Sequence, residues 1–404
     1  MTGPEAMLEK HSIVIRDGRI LDVVPSDVAA ARYAPAVSVD RAAHVLMPGL
    51  VNAQTAAVSS TARGLDLGEL RDGGLLRIAE MLKSGTTCCC TTGFFPGESA
   101  RLIADQGMRA VIGIPIAEVE SPWARNPREY LTRALNFRDE WRGHPTLTTA
   151  FAPHAPARIG DETFGRIATL ADELDAAILM CLHESRDEIN ESVLRHGRRP
   201  VQRLHALGLL TPALTAAHMV HVTAADIALA QRSGVAVVLC PESNLRRGHG
   251  APPLAAWAAS GLRLALGTGA LDDDASLDLW SALKLLALLS HPSGEAAAAR
   301  AWEALSLATR GGAAVLGVDA QIGTLERGKW ADLCCIDLRA PAMRRDSSLD
   351  MAGRLAVHGG RDLVSDVWVA GRHLLDGGTL TRLDWQELAA RTDHRAALLT
   401  SGEP

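Results

Sequence analysis

The sequence predicts an α/β protein: a (β/α)8 TIM barrel filling the middle of the chain, with a small β-sandwich domain built from both chain ends. Three observations carry this. Short apolar runs alternate with helical segments eight times between about residues 50 and 269. Both ends read as strands and hairpins instead. With 404 residues and 47% hydrophobic content, the chain can bury one large core and a smaller one.

In chain order, residues 11–25 alternate apolar and polar side chains around Asp17-Gly18, a hairpin signal. A strand at 43–47 enters the turn Pro48-Gly49. The first barrel strand begins at Leu50, and the others fall at 85–92, 109–117, 147–155, 176–184, 214–221, 235–241 and 262–269. Helical segments lie between them, among them 127–143 and 161–175, and Thr223-Ala-Ala-Asp226 reads as a capping box. The Ala-rich stretch 292–301 starts another helix. Residues 322–337 and 363–375 return to strands, with a hairpin over Asp366–Arg372; 385–399 reads as a helix and 400–404 as loose. The expected division is a barrel over 49–320, a composite sandwich from 1–48 and 321–380, and a C-terminal helix and tail over 381–404.

Composition narrows the function. The net charge of −6 is spread over interspersed acids and bases. No basic stripe suggests nucleic acid, and no polybasic tail or apolar run of about 20 residues suggests a membrane. Residues 1–12 lack a signal-peptide core, so a cytoplasmic protein is expected. The seven cysteines form no CxxC pair. Cys88, Cys89 and Cys90 alternate faces on a strand and cannot converge on one ion; small buried side chains are the expectation.

In this fold the active site sits at the C-terminal strand ends. That singles out Gln54, Ala56, His154, Cys181, His183, Glu184, His218, His221 and Gly269. Glu184 at a strand end suits acid–base work, as does His218. Cys181 could serve as a nucleophile if a neighbour lowered its pKa. The acids Asp272, Asp273 and Asp274 read as a solvated loop, and the segment from 57 to 74 as short and glycine-rich.

Several runs together resemble the amidohydrolase superfamily, in the branch of methylthioadenosine/S-adenosylhomocysteine deaminases and triazine hydrolases. They are Met47-Pro-Gly-Leu-Val-Asn-Ala53, Glu80–Thr87, Ala152-Pro-His-Ala-Pro156, Leu182-His-Glu184, Ala217–His221, Cys240–Leu245, Leu266-Gly-Thr268 and Gly323–Leu333. The resemblance spans about residues 11–380. It implies a barrel enzyme holding one divalent metal, usually zinc, by a His-x-His pair after strand 1, a His at strand 5 and an Asp at strand 8. It also implies a Glu that shuttles protons, a strand-6 His that supports the attacking water, and a His that touches the substrate ring. Carried over, the ligand places are Gln54, Ala56, Cys181 and Gly269, while Glu184, His218 and His154 stand where the family has its other groups. Gln and Ala are poor ligands or none. The arginines Arg125, Arg128, Arg133 and Arg138 fall where the deaminases grip a substrate carboxylate.

The expected function is therefore metal-independent acid–base chemistry (cyclisation, elimination, isomerisation or condensation) on a small polar molecule. Glu184 and His218 would be catalytic, with His154, His183, Cys181, Gln54 and Arg125 around the substrate. No metal or other cofactor is expected, and a homodimer is. One alternative is a non-catalytic protein binding a nucleoside-like ligand or a homologous subunit. The other is a residual deaminase or hydrolase holding metal by Cys181, His183 and His218. Restoring ligands at 54, 56, 181 and 269 together is expected to return zinc binding.

Overall fold

The computed structural model describes residues 7–58, 67–269, 276–289, 302–344 and 350–392. Fifteen strands are formed among them. A hairpin of β1 (His11–Arg16) and β2 (Arg19–Pro25) opens the chain, followed by β3 (His44–Pro48). The barrel strands are β4 (Leu50–Thr55), β5 (Thr86–Thr92), β6 (Arg109–Ile116), β7 (Leu147–Pro153), β8 (Ile178–Leu182), β9 (Leu214–His218), β10 (Ala236–Leu239) and β11 (Leu264–Leu266). The chain ends with β12 (Leu333–Asp337), β13 (Val364–Val369), β14 (Arg372–Asp376) and β15 (Thr379–Leu380). Strands β4 to β11 pair in sequence order, all parallel, with helices between them. This is the nearly closed (β/α)8 arrangement.

The strands are apolar on both faces because one face fills the barrel and the other meets the helices. Cys88 and Cys90 join Val51, Ala53, Val111, Ala150, Leu179 and Ala217 inside the barrel, while Cys89 packs in the outer core. Ala313, Val315 and Leu316 plug the bottom of the interior. The predicted helices form over Pro127–Glu140 and Asp161–Glu173, and Thr223 and Asp226 make a reciprocal capping box.

The first and last barrel strands meet through side chains. Asn52 Nδ2 donates to Thr268 Oγ1 at 3.0 Å, Thr268 N donates to Asn52 Oδ1 at 3.0 Å, and Thr268 Oγ1 donates to Thr55 Oγ1 at 3.1 Å. Gly269 N adds a bond to the Gln54 carbonyl at 2.8 Å. Gly267 is required here, since a Cβ would sit 2.8 Å from Gln54 N.

The chain ends build an antiparallel five-stranded sheet, ordered β15-β14-β13-β12-β3, with the β1–β2 hairpin packed against it. Ile13, Ile20 and Val23 of the hairpin cover Leu46, Leu333 and Trp368 of the sheet. A buried ion pair fastens this layer to the barrel. Arg109 at the start of β6 donates to both oxygens of Asp332, at 2.7 and 3.2 Å, and Asp332 Oδ1 also accepts from Ala370 N at 2.7 Å.

One expectation changes. Residues 322–332, read as strand, make only a single bridge, Arg19 to Trp330, and otherwise turn under the barrel. Gly73 and Gly74 of the glycine-rich segment lie inside a helix, Leu67–Lys83, and Gly74 admits the close approach of Leu102. The helix near the C-terminus is seen at 385–392. The Ala-rich stretch 292–301, Asp272 to Asp274, residues 59–66 and the tail beyond 392 lie outside the described residues.

Truncating Asn52 would strand the Thr268 N–H in a buried seam. Asn52→Ala is expected to cost about 2–3 kcal/mol, read as a lower urea midpoint. An unchanged midpoint would show that closure does not depend on this pair.

Candidate functional site

At the C-terminal mouth of the barrel lies a cavity of about 240 Å³. Gln54 from β4, Thr92 and Phe94 after β5, His154 after β7, and Met180, Cys181, Glu184 and Glu188 from β8 and its following turn line it. The sharp strand ends that aim these groups use left-handed backbone at non-glycine residues: His183 (φ 52°), His218 (φ 74°) and Met219 (φ 47°). Such conformations cost of order 1–3 kcal/mol each and cluster at functional sites. The turns are held by Met219 N donating to Leu182 O, and by Val220 N and His221 N donating to His183 O, each at 3.0 Å.

Glu184 is the centre of the charge arrangement. Its Oε1 lies 3.3 Å from Arg247 Nη1, 3.5 Å from His249 Nδ1 and 3.9 Å from His218 Nε2. His218 is fully buried. Its Nδ1 meets Asn244 Oδ1 at 2.7 Å, so that nitrogen donates and Nε2 is left as a lone-pair acceptor. Nε2 has no hydrogen-bond partner among the described residues. Burial lowers the pKa of His218, which keeps the ring neutral. His154 rests edge-on against Phe94, with ring centroids 5.0 Å apart.

His154, Glu184, Cys181 and Gln54 thus stand together around the cavity, and His218 stands behind Glu184 without lining the cavity itself. Two proposed contacts fail. His183 is buried and points away from the mouth. Its Nε2 accepts from Val201 N at 3.2 Å, so Nδ1 donates to the His221 carbonyl at 3.1 Å. With both ring nitrogens committed to backbone and its pKa pushed down to about 4 by burial, His183 neither reaches substrate nor joins a metal set with Cys181 and His218. Arg125 is exposed on the loop before the helix Pro127–Glu140, its N–H on Glu129, and does not line the cavity. Of the other arginines, Arg133 pairs with Glu129 at 2.7 Å and Arg138 donates to the Leu174 carbonyl. That helix buries Tyr130, Leu131, Ala134 and Phe137, which leaves its charged face outward.

Glu188 is a site residue that pattern reading hides. Ser185-Arg-Asp-Glu188 looks like an ordinary helix start, and Ser185 Oγ does accept from Glu188 N at 3.1 Å. The Glu188 carboxylate, however, turns back to the mouth. There it accepts from His183 N at 3.1 Å and Glu184 N at 2.8 Å. Burial, opposed by those bonds and reinforced by the Glu184 charge, raises its pKa to about 7.

The four places where the resemblance puts metal ligands are poorly furnished for zinc. Gln54 uses its amide to donate to Thr92 Oγ1 at 3.2 Å, and Ala56 offers no donor. Cys181 is the one of the four places with a side chain zinc takes readily, and a single thiol falls short of the three protein ligands of a catalytic zinc site. Gly269 has left-handed backbone (φ 64°), and a Cβ there would lie 2.9 Å from Cys240 Cβ and 3.1 Å from His218 Cε1. The residues present do not fit the metal. An aspartate at 269 would require Cys240 and Ser243 to give way around its Cβ. Among the described residues, the one His/Cys/Asp/Glu group spaced for a cation is Asp366, His373 and Asp376 in the antiparallel sheet. Arg41 already occupies it, at 2.7 and 3.2 Å.

The architecture is that of the amidohydrolase barrels as a class. The chain belongs to the amidohydrolase family, whose model matches residues 45–374. It is 38% identical to a 5-methylthioadenosine/S-adenosylhomocysteine deaminase of Teredinibacter turnerae, over 96% of this chain and 92% of that protein. The corresponding deaminase of Saccharophagus degradans is 33% identical over the same shares. Among solved structures, an adenosine deaminase from Xanthomonas campestris with bound zinc superposes with a TM-score of 0.89 at 36% identity, covering 98% of this chain and 95% of that one. An atrazine chlorohydrolase from Arthrobacter aurescens, 20% identical with a TM-score of 0.84, shares the fold. The protein is deaminase- and hydrolase-like, and no described helix is long and apolar enough to cross a membrane.

The Glu188 carboxyl titrates at about 7 in the folded protein against an ordinary 4.5. Between those values the folded state holds a proton that the unfolded chain has lost. Stability therefore falls as pH rises through the window, and the full cost of the buried charge is present above about pH 7. Glu188→Gln cannot ionise. Its melting temperature relative to wild type is expected to climb from about pH 5 to about pH 8, and a pH-independent difference would refute the assignment.

Proposed function

We propose that this protein runs metal-independent proton-transfer chemistry on a small polar molecule in the barrel mouth. The observation that carries the reading is the placement of Glu184. One oxygen is held by Arg247, with His249 and a neutral His218 close by, at a mouth where the ligand places of the resemblance offer an amide, a methyl group, a half-buried thiol and a bare glycine.

Two carboxyl groups in unlike surroundings make an acid–base pair. Glu184 is ion-paired and suited to accept a proton. Glu188, titrating at about 7, can give one near neutral pH. His218 positions Glu184 from behind. Without a metal to make hydroxide, direct hydrolytic attack by water is disfavoured. Elimination, isomerisation, cyclisation and condensation need no hydroxide and suit this pair. A second reading, binding of a nucleoside-like ligand without turnover, is favoured by the full-length likeness to the deaminases and by the Phe94–His154 wall.

The test is elemental analysis of protein purified without chelator and soaked in excess zinc, run beside an ammonia-release assay on methylthioadenosine and S-adenosylhomocysteine. Expected are far less than one zinc per chain and no ammonia. Stoichiometric zinc with deamination would overturn the proposal. Once a turned-over compound is in hand, Glu184→Gln should lower kcat by about 100-fold or more while binding persists.

A further inference from the structure

We infer that the cavity selects a small, flat organic cation carrying N–H donors, of the amidinium or protonated aminoheterocycle kind. The inference deepens the metal-free reading and rests on it, because a divalent ion at the mouth would itself satisfy the carboxylates.

The charged groups lining the cavity are Glu184 and Glu188; no lysine or arginine lines it among the described residues. Arg247 and His249 approach Glu184 at Oε1, and the same carboxylate lines the cavity. Glu188 is met by the backbone N–H groups of His183 and Glu184, with that of Ser185 also turned to it. Those dipoles fix its direction without cancelling its charge. The Glu184 charge presses on it from one side, and Cys181 beside it is a neutral thiol.

His218 gives independent evidence. It is fully buried, and its unpartnered Nε2 aims at Glu184 Oε1 from 3.9 Å. Two acceptors facing each other at that separation are satisfied by a donor placed between them. A buried polar atom left unpaired costs about 1–3 kcal/mol, so the acceptor that His218 sets behind Glu184 adds to the demand for donors at this end of the barrel without itself lining the cavity.

The remaining walls set the body of the ligand. Phe94 and His154 meet edge to face at 5.0 Å, and Met180 and Pro153 continue an apolar surface. Flat cations are held by such aromatic walls as well as by carboxylates. At about 240 Å³ the cavity lies below the usual range for drug-sized ligands, roughly 300–1,000 Å³, so the occupant is small.

The experiment compares benzamidine with benzamide, its neutral near-isostere, by calorimetric titration of the full-length chain. Benzamidine should bind at least about tenfold more tightly. Glu188→Gln should shrink that preference to within about threefold, while Glu188→Asp, which keeps the charge, should retain it. Equal affinities, a preference for benzamide, or no measurable benzamidine binding would overturn the inference, and the comparison on the unmutated protein decides even if a variant fails to fold. A zinc arm separates the two proposals. Displacement of benzamidine by one zinc per chain would sink the metal-free reading and, with it, the cation preference that rests on it. A missing preference in protein that takes up no zinc would sink this inference alone.

Discussion

An eight-stranded parallel sheet becomes a barrel only if its first and last strands satisfy each other. Here β11 is only three residues long, so little of that edge is paired by regular backbone bonds. Asn52, Thr55 and Thr268 supply the closure through side chains, and the Gly269 N–H adds one bond to Gln54. The consequence reaches the mouth. The residues that close the barrel adjoin positions 54 and 269, so seam and site share one stretch of chain. A glycine at 267 lets the strands approach. The left-handed glycine at 269 then lets Cys240, Ser243 and His218 crowd into the space beside it. The geometry of the mouth is in this sense set by closure, and no carboxylate can be added at 269 without moving its neighbours.

The strand ends carry strain in the same place. His183, His218 and Met219 all adopt left-handed backbone without being glycine, and backbone bonds between the ends of β8 and β9 hold them there. Strain of this kind persists only when the surroundings over-determine it. What it achieves is a pair of abrupt turns that direct Glu184 toward the cavity and bring His218 up behind it. The ion pair between Arg109 and Asp332 does related work at the opposite end of the barrel, tying β6 to the antiparallel sheet through buried charges. Removing one partner from such a pair leaves an uncompensated buried charge, usually at a cost of about 3–5 kcal/mol.

Much of this fold could be read from the chain. Strands buried on two faces show as apolar runs, and Asp17-Gly18 turns β1 into β2 with both residues in the left-handed region. The capping box at Thr223 shows as well. The site was legible where a residue sits at a strand end, as Glu184 and His154 do. It was obscured where a side chain's direction depends on a turn. His183 follows Cys181 by two along the chain and would share its face on a straight strand, yet the strand stops at Leu182 and the ring swings to the Val201 backbone. Glu188 carries a helix-cap signature that accounts for its backbone contacts and hides its carboxylate's place in the cavity. Residues 322–332 are apolar enough for a strand, but they spend that character plugging and underlining the barrel.

The charge balance at the mouth follows from its donor set. A divalent ion among carboxylates would neutralise them directly. With Gln54, Ala56, a protonated Cys181 and Gly269 at the presumptive ligand places, that neutralisation must come from elsewhere. Arg247 provides it for Glu184 on one oxygen. Glu188 has only peptide dipoles, so its charge is relieved in part by holding a proton near neutral pH. The two carboxyl groups thereby part in character, one paired with a guanidinium and the other poised to exchange a proton. Neutral His218, bonded to Asn244 through Nδ1, adds a third acceptor and no charge. The physical demand left by this arrangement is for donors and positive charge, and a ligand that supplies both would complete the hydrogen bonds that the protein alone leaves open.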